Sequence, residues 1–133
     1  MPSDRDEFFA KAQEGLLAAE AALEAGWHTV CARTAYFAAY HAAIAALLHE
    51  GITDRKGSWG HDFVQAAFVE QLIVRRKVYA APLRSILREG MDLRHRADYR
   101  PLPVTRREAL TLMRHARDLV AAVYDQVSRS SEG

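Results

Sequence analysis

The stretch from Ala32 to His49, ARTAYFAAYHAAIAALLH, constrains the fold more than any other part of the chain. At 3.6 residues per turn, Arg33, Phe37 and His41 fall on one side of a helix, and Tyr36 and Tyr40 form a neighbouring i, i+4 pair. Alanine over most of the remaining surface lets partner helices approach closely. The stretch therefore predicts the central helix of a small bundle, with a few large polar side chains set into an apolar surface for a purpose.

The rest of the chain supplies its partners. Ser3 or Asp4 can cap a first helix from about Asp6 to Ala25, with Phe8, Ala12, Leu16, Ala19 and Leu23 at helical spacing and Gly26 as its stop. The central helix follows from Trp27 or Thr29 to about Glu50, where Gly51 offers a left-handed C-terminal stop, so the two should pack as an antiparallel hairpin. A polar loop, ITDRKGSWG, leads to a third helix with Ser58 as N-cap and an apolar stripe of Phe63, Val64, Ala67, Phe68 and Leu72. Arg75, Arg76 and Lys77 close it, where cations complement the helix dipole. A fourth helix starts around Ala81 with Pro82 at its first position, turns Leu83, Ile86 and Leu87 to the core, and continues through LRHRADY. Gly90 within it either loosens the helix or permits close packing. Thr105 to Glu108 reads as a capping box opening a last helix to about Val127, with residues 128–133 frayed. The expectation is an all-α, up-and-down antiparallel bundle of four to five helices, and 133 residues suit one domain, 1–133, with its core at about 5–127.

The longest near-apolar run, Ala35 to Leu48, is too short to span a bilayer and contains His41. The N-terminus, MPSDRDEFF, is acidic and lacks the apolar centre of a signal peptide. Cys31 is the single cysteine, so no intrachain disulfide can form, and a cytoplasmic location is expected. Metal chemistry finds little support. No Glu has a His three residues later, H-E-x-x-H is absent, and one cysteine cannot make a zinc knuckle, so neither metal nor cofactor is expected. Phosphate-cradling glycine motifs and a G-x-S-x-G elbow are missing too. The net charge of +1 conceals an asymmetry: residues 1–74 carry 5 Lys or Arg against 10 Asp or Glu, and residues 75–133 carry 13 against 7. Either the second half meets phosphate, or the halves neutralise each other on folding.

Two polar sets remain: Arg33, Tyr36, Tyr40 and His41 in the second helix, and Arg88, Arg94, His95, Arg96, Asp98 and Tyr99 in the fourth. Arg94 and Asp98, at i, i+4, should pair. R-T-A-Y-F-A-A-Y-H-A-A at 33–43, G-S-W-G-H-D at 57–62, L-R-H-R-A-D-Y at 93–99 and T-R-R-E-A-L at 105–110 resemble the HEPN family of small helical domains, over about residues 5 to 127. They are most similar to its small bacterial and archaeal members. The resemblance implies a helical bundle, usually a homodimer. In several branches it also implies RNA cleavage, or a toxin role beside a nucleotidyltransferase-type antitoxin. Nuclease branches carry R-x(4–6)-H, in which Arg stabilises charge on the pentavalent phosphate and His handles a proton, without a metal. This chain departs from that motif: Arg94 is followed by His95 and then reaches Tyr99, giving R-x4-Y. Tyrosine, with an ordinary pKa of about 10, is a poor base near neutral pH. Arg88 and His95 satisfy R-x6-H.

The resemblance thus assigns Arg94 to phosphate stabilisation, Asp98 and Tyr99 to orienting it, and His95, His61 or His41 to proton transfer. Arg33, Tyr36 and Arg88 stand as binding or supporting groups with His41 and His61. Two functions stay open on the sequence. One is a metal-independent ribonuclease toxin of a toxin–antitoxin or defence system; the other is a non-catalytic nucleotide-binding or protein-interaction module. Exposure separates them: a shared solvent-accessible groove favours the enzyme, a sealed network the module.

Overall fold

Two glycines in the left-handed region set the layout of the first half. The structure, a computed structural model, describes residues 3–54 and 56–132. Helix α1 spans Asp4–Glu24 and α2 spans His28–His49. Ser3 caps α1, its hydroxyl accepting the Asp6 N–H at 3.2 Å, and Asp4, Asp6 and Glu7 put negative charge against the positive end of the dipole. Gly26 (φ +81) ends α1 in a Schellman motif, with the Trp27 N–H donating to the Ala22 carbonyl and the Gly26 N–H to that of Leu23. Gly51 (φ +76) repeats the motif after α2, through Ile52 to Leu47 and Gly51 to Leu48. The short connection forces α1 and α2 into the expected antiparallel hairpin. Their approach is close: a Cβ on Gly15 would lie 3.1 Å from the Ala38 Cβ.

Helix α2 is the centre of the bundle. Twelve of its residues are buried, eight of them alanine, and it packs on α1, α4 and α5. Helix α3 spans His61–Ala67 and runs into a π-helical extension, Phe68–Arg75. A 3₁₀ turn, Ala81–Ser85, precedes α4 (Ile86–Tyr99), and α5 spans Arg106–Glu132. The core gathers Phe68, Leu72, Ile86, Leu87, Leu112, Leu119 and Val123 around the alanine face of α2. There is no strand among the described residues, so the architecture is the expected all-α bundle. No helix of the described residues is long and apolar enough to cross a membrane.

Several local expectations need correction. Ser58 does not cap α3: the helix starts three residues later, after Gly60, and the Ser58 hydroxyl donates instead to Asp54 at 3.1 Å. The 75–77 cations do not serve their own helix dipole alone. Arg76 reaches across to donate to the Glu50 carbonyl at 3.0 Å, so it caps the C-terminal end of α2. The fourth segment begins as a 3₁₀ turn carrying Pro82 and becomes α-helical only at Ile86. Gly90 is there for close packing, as a Cβ would sit 2.7 Å from the Tyr36 ring. Finally, α5 continues to Glu132 through most of the stretch expected to fray, and Gly133 lies outside the described residues. The capping box at its start is as expected, with Glu108 accepting from the Thr105 N–H at 3.0 Å and Thr105 Oγ1 accepting from the Glu108 N–H at 3.1 Å.

Candidate functional site

The polar residues of α2 and of the C-terminal half of α4 meet at one end of the bundle. Asp98 is the hub. One of its oxygens accepts from Arg33 Nε at 3.1 Å, with a second contact from the same guanidinium, and its other oxygen lies 3.5 Å from Arg94 Nε. Two arginines thus share one carboxylate. The Arg94 contact is an ion pair and not a directed hydrogen bond, because its buried Nε has no partner of hydrogen-bonding geometry. Arg94 makes cation–π contacts instead, its guanidinium carbon 5.0 Å from the Phe37 ring centroid and 6.0 Å from that of Tyr36. Its side chain is 25% exposed, that of Asp98 15% and that of Arg33 45%, so the cationic groups reach solvent more than the anion does.

His61 completes the cluster from the first residue of α3. Its Nδ1 is hydrogen-bonded to the Tyr36 hydroxyl, and its ring stacks on Tyr40 with centroids 4.6 Å apart. Burial pushes the His61 pKa below the ordinary imidazole value, and the neighbouring Arg94 charge lowers it further, against an opposing pull from Asp62. The imidazole is therefore neutral near pH 7. Tyr36, only 2% exposed, is driven strongly upward, first by burial and then by Tyr40, so its hydroxyl keeps its proton. With Nδ1 engaged, Nε2 is the ring nitrogen with no hydrogen-bond partner among the described residues.

The loop before α3 is braced for this placement. Trp59 has φ +44, a region a bulky residue enters at a cost of about 1–3 kcal/mol. The Tyr40 hydroxyl donates to the Trp59 carbonyl, and the indole packs against Phe8 and Phe63, which offsets that cost. Two tyrosines one helical turn apart on α2 thus hold His61, one through its ring nitrogen and the other through the loop backbone.

The other residues singled out from the sequence lie elsewhere. His95 and Tyr99 pack against each other with their rings tilted and centroids 5.0 Å apart, and Tyr99 is 70% exposed. Among the described residues, no hydrogen bond, ion pair or ring contact joins either side chain to that of Arg94. Arg88 lines a separate cleft with Asp62 and Glu70, whereas His95 borders a depression with Asp92, Arg96, Arg100 and Leu102, so the R-x6-H pair does not converge on one pocket. His41 is half-buried against Phe8 and Phe37, one ring removed from Arg94, and burial followed by the charge of Lys11 lowers its pKa. Sequence reasoning missed the Arg33–Asp98 pair and the Phe37 platform. The signal for both was present in the i, i+4 register of Arg33, Phe37 and His41, though nothing in the sequence aligned that face with Asp98.

The HEPN domain family model matches residues 6–127 of this chain, from within α1 to near the end of α5. The chain belongs to the HEPN family. No curated protein matches the sequence. The HEPN match takes in α2, α3 and α4, and hence every residue of the Arg33, Arg94, Asp98 and His61 cluster. Among the described residues, no group of three or more His, Cys, Asp or Glu is placed to hold a metal ion. The chemistry available at the cluster is that of two guanidinium groups, one carboxylate and a neutral imidazole.

Proposed function

We propose that this HEPN protein binds RNA through its Arg33 and Arg94 pair and cleaves it without a metal, as the toxin component of a toxin–antitoxin or defence system. The observation that carries the reading is the charge balance at Asp98: one carboxylate serves two arginines, so the cluster keeps a net positive charge beside a neutral imidazole. An RNA phosphodiester supplies the missing anion, and its 2′-hydroxyl supplies a proton to move. In the tautomer with Nδ1–H donating to the Tyr36 oxygen, His61 Nε2 has a free lone pair. It takes the 2′-hydroxyl proton as the 2′-oxygen bonds to phosphorus. The bond to the 5′-oxygen breaks, that oxygen leaves with a proton from water, and the products are a 2′,3′-cyclic phosphate and a 5′-hydroxyl end. Arg94 and Arg33 offset the charge that builds on the phosphorane oxygens. His95, Tyr99 and His41 have no step here.

Single-stranded RNA incubated with the protein in EDTA should be cut to 5′-hydroxyl fragments. Arg94→Ala should lower the rate by about 10²–10³, the usual loss on removing one preorganised donor to a developing oxyanion. Undiminished cleavage by that variant removes Arg94 from the chemistry.

The burial of Tyr36 and the partial burial of Asp98 favour a second reading, a non-catalytic module in which the network fixes the packing of α2 on α4. RNA bound with an affinity that falls steeply with salt, yet left intact, identifies that case. HEPN domains commonly dimerise, and we infer a homodimer paired with a nucleotidyltransferase-type antitoxin. Light scattering on the purified chain tests the first inference, and relief of growth arrest by a co-expressed nucleotidyltransferase tests the second.

A further inference from the structure

Beside His61 lies a cleft of about 510 Å³ between α3 with its π-helical extension and the 3₁₀ turn with the start of α4. That volume is within the range of small-ligand sites. Asp62, Gln65 and Glu70 line it from one side, and Arg84 and Arg88, one helical turn apart, line it from the other. Among the described residues, none of these four charged side chains is in an ion pair, although opposite signs face each other across the opening. The unpaired carboxylates on one wall and guanidinium groups on the other suit a ligand that is a hydrogen-bond donor at one end and an anion at the other.

We propose that this cleft is a base subsite that takes guanine from the nucleotide next to the phosphate held by Arg33 and Arg94. The inference rests on the reading of that cluster as an RNA site. Continuity comes from Asp62, which follows His61 in the chain, influences its titration and lines the cleft. Selectivity follows from donor and acceptor chemistry. Ionised carboxylates only accept hydrogen bonds. Guanine alone among the four RNA bases offers two adjacent donors on its Watson–Crick edge, N1–H and the N2 amino group, which match the two oxygens of one carboxylate. Adenine and cytosine place a ring acceptor beside their amino group, and uracil places its single N–H between two carbonyls, so each meets a carboxylate with repulsion. The Gln65 amide can donate to guanine O6. On the opposite wall, Arg84 and Arg88 can clamp the next phosphate.

The test uses fluorescein-labelled 2′-O-methyl nonamers, which bind without being cut: all uridine, or uridine with a central guanine, adenine or hypoxanthine. By anisotropy in EDTA, the guanine nonamer should bind about tenfold more tightly than the adenine or uridine ones, the discrimination typical of one good bidentate contact. Hypoxanthine, which lacks the N2 amino group, should fall between. The double variant Asp62→Asn, Glu70→Gln should erase the guanine preference while affinity for the all-uridine nonamer holds or rises, since negative charge has been removed. Arg88→Ala should weaken every nonamer. Equal affinity for all four in the wild type, or a preference that survives the double variant, overturns the guanine subsite. If Arg94→Ala still abolishes binding in that case, the RNA reading of the cluster stands without it. Failure of every nonamer to bind overturns both.

Discussion

Gly90→Ala joins the packing of the bundle to the geometry of the site. In an exposed helix this substitution would stabilise by about 1 kcal/mol, the propensity difference between the two residues. Gly90 is buried in α4, however, and the added methyl would stand 2.7 Å from Tyr36 Cδ1 and 3.4 Å from Leu112 Cδ1. Tyr36 cannot swing away cheaply, because it is 2% exposed, packed against Phe37 and Tyr40, and bonded to His61. Overpacking of this kind costs about 1–3 kcal/mol. The clash therefore outweighs the propensity gain, and a net loss of about 1 kcal/mol is expected, read as a fall of about 4 °C in melting temperature for a chain of this size. Urea denaturation of the wild type, Gly90→Ala, Tyr36→Ala and the double variant isolates the contact. With the ring gone, Gly90→Ala should become neutral or stabilising. A gain of about 1 kcal/mol from Gly90→Ala in the wild-type background, equal to the helix-propensity difference, would refute the steric argument. So would the same effect in both backgrounds.

Titrating the histidines by NMR gives an independent check: His61 should titrate below the ordinary imidazole value, upward of that position in Arg94→Ala and further below it in Asp62→Asn. Because the folded pKa of His61 is depressed, its contribution to stability is present above the unfolded value and is lost as pH falls through the folded one. Glu108 should govern part of the acid limb of unfolding. Its pKa is brought down to about 2, first by the Arg96 guanidinium and then by the Thr105 backbone, so its contribution is complete above the ordinary value of 4.5 and fades as pH drops toward 2. The pair is partly exposed and solvent-screened, which limits this to about 1 kcal/mol or less, and Glu108→Gln should lack that part of the acid dependence. Thr105→Ala removes the reciprocal cap of α5 and should cost about 1 kcal/mol at neutral pH in thermal melts.

Local chemistry made much of the fold legible. Alanine density marked α2 as the central helix, Gly26 and Gly51 marked the two turns, and the Thr105–Glu108 box marked the start of α5. Each of these signals acts within a few residues. Ser58 misled for the same reason: a good capping residue beside a helix was taken by Asp54 before it could reach the helix N-terminus. The role of Arg76 was hidden because its acceptor, the Glu50 carbonyl, is on another helix.

The site divides along the same line. The sequence by itself determined which residues could act: Arg33, Tyr36 and Tyr40 on one helix, Arg94 and Asp98 on another, and His61 after a glycine-rich loop. It also determined that Arg94 and Asp98 would be neighbours, since a helix sets the i, i+4 distance. Only the tertiary structure decided that Asp98 is shared with Arg33, that the Arg94 cation lies over the Phe37 ring, and that His61 stands against Tyr36 while His95 and Tyr99 pair with each other. Those relations depend on how α2 and α4 are rotated and set against each other. That setting comes from the whole core, including the missing side chain at Gly90, and no local pattern encodes it.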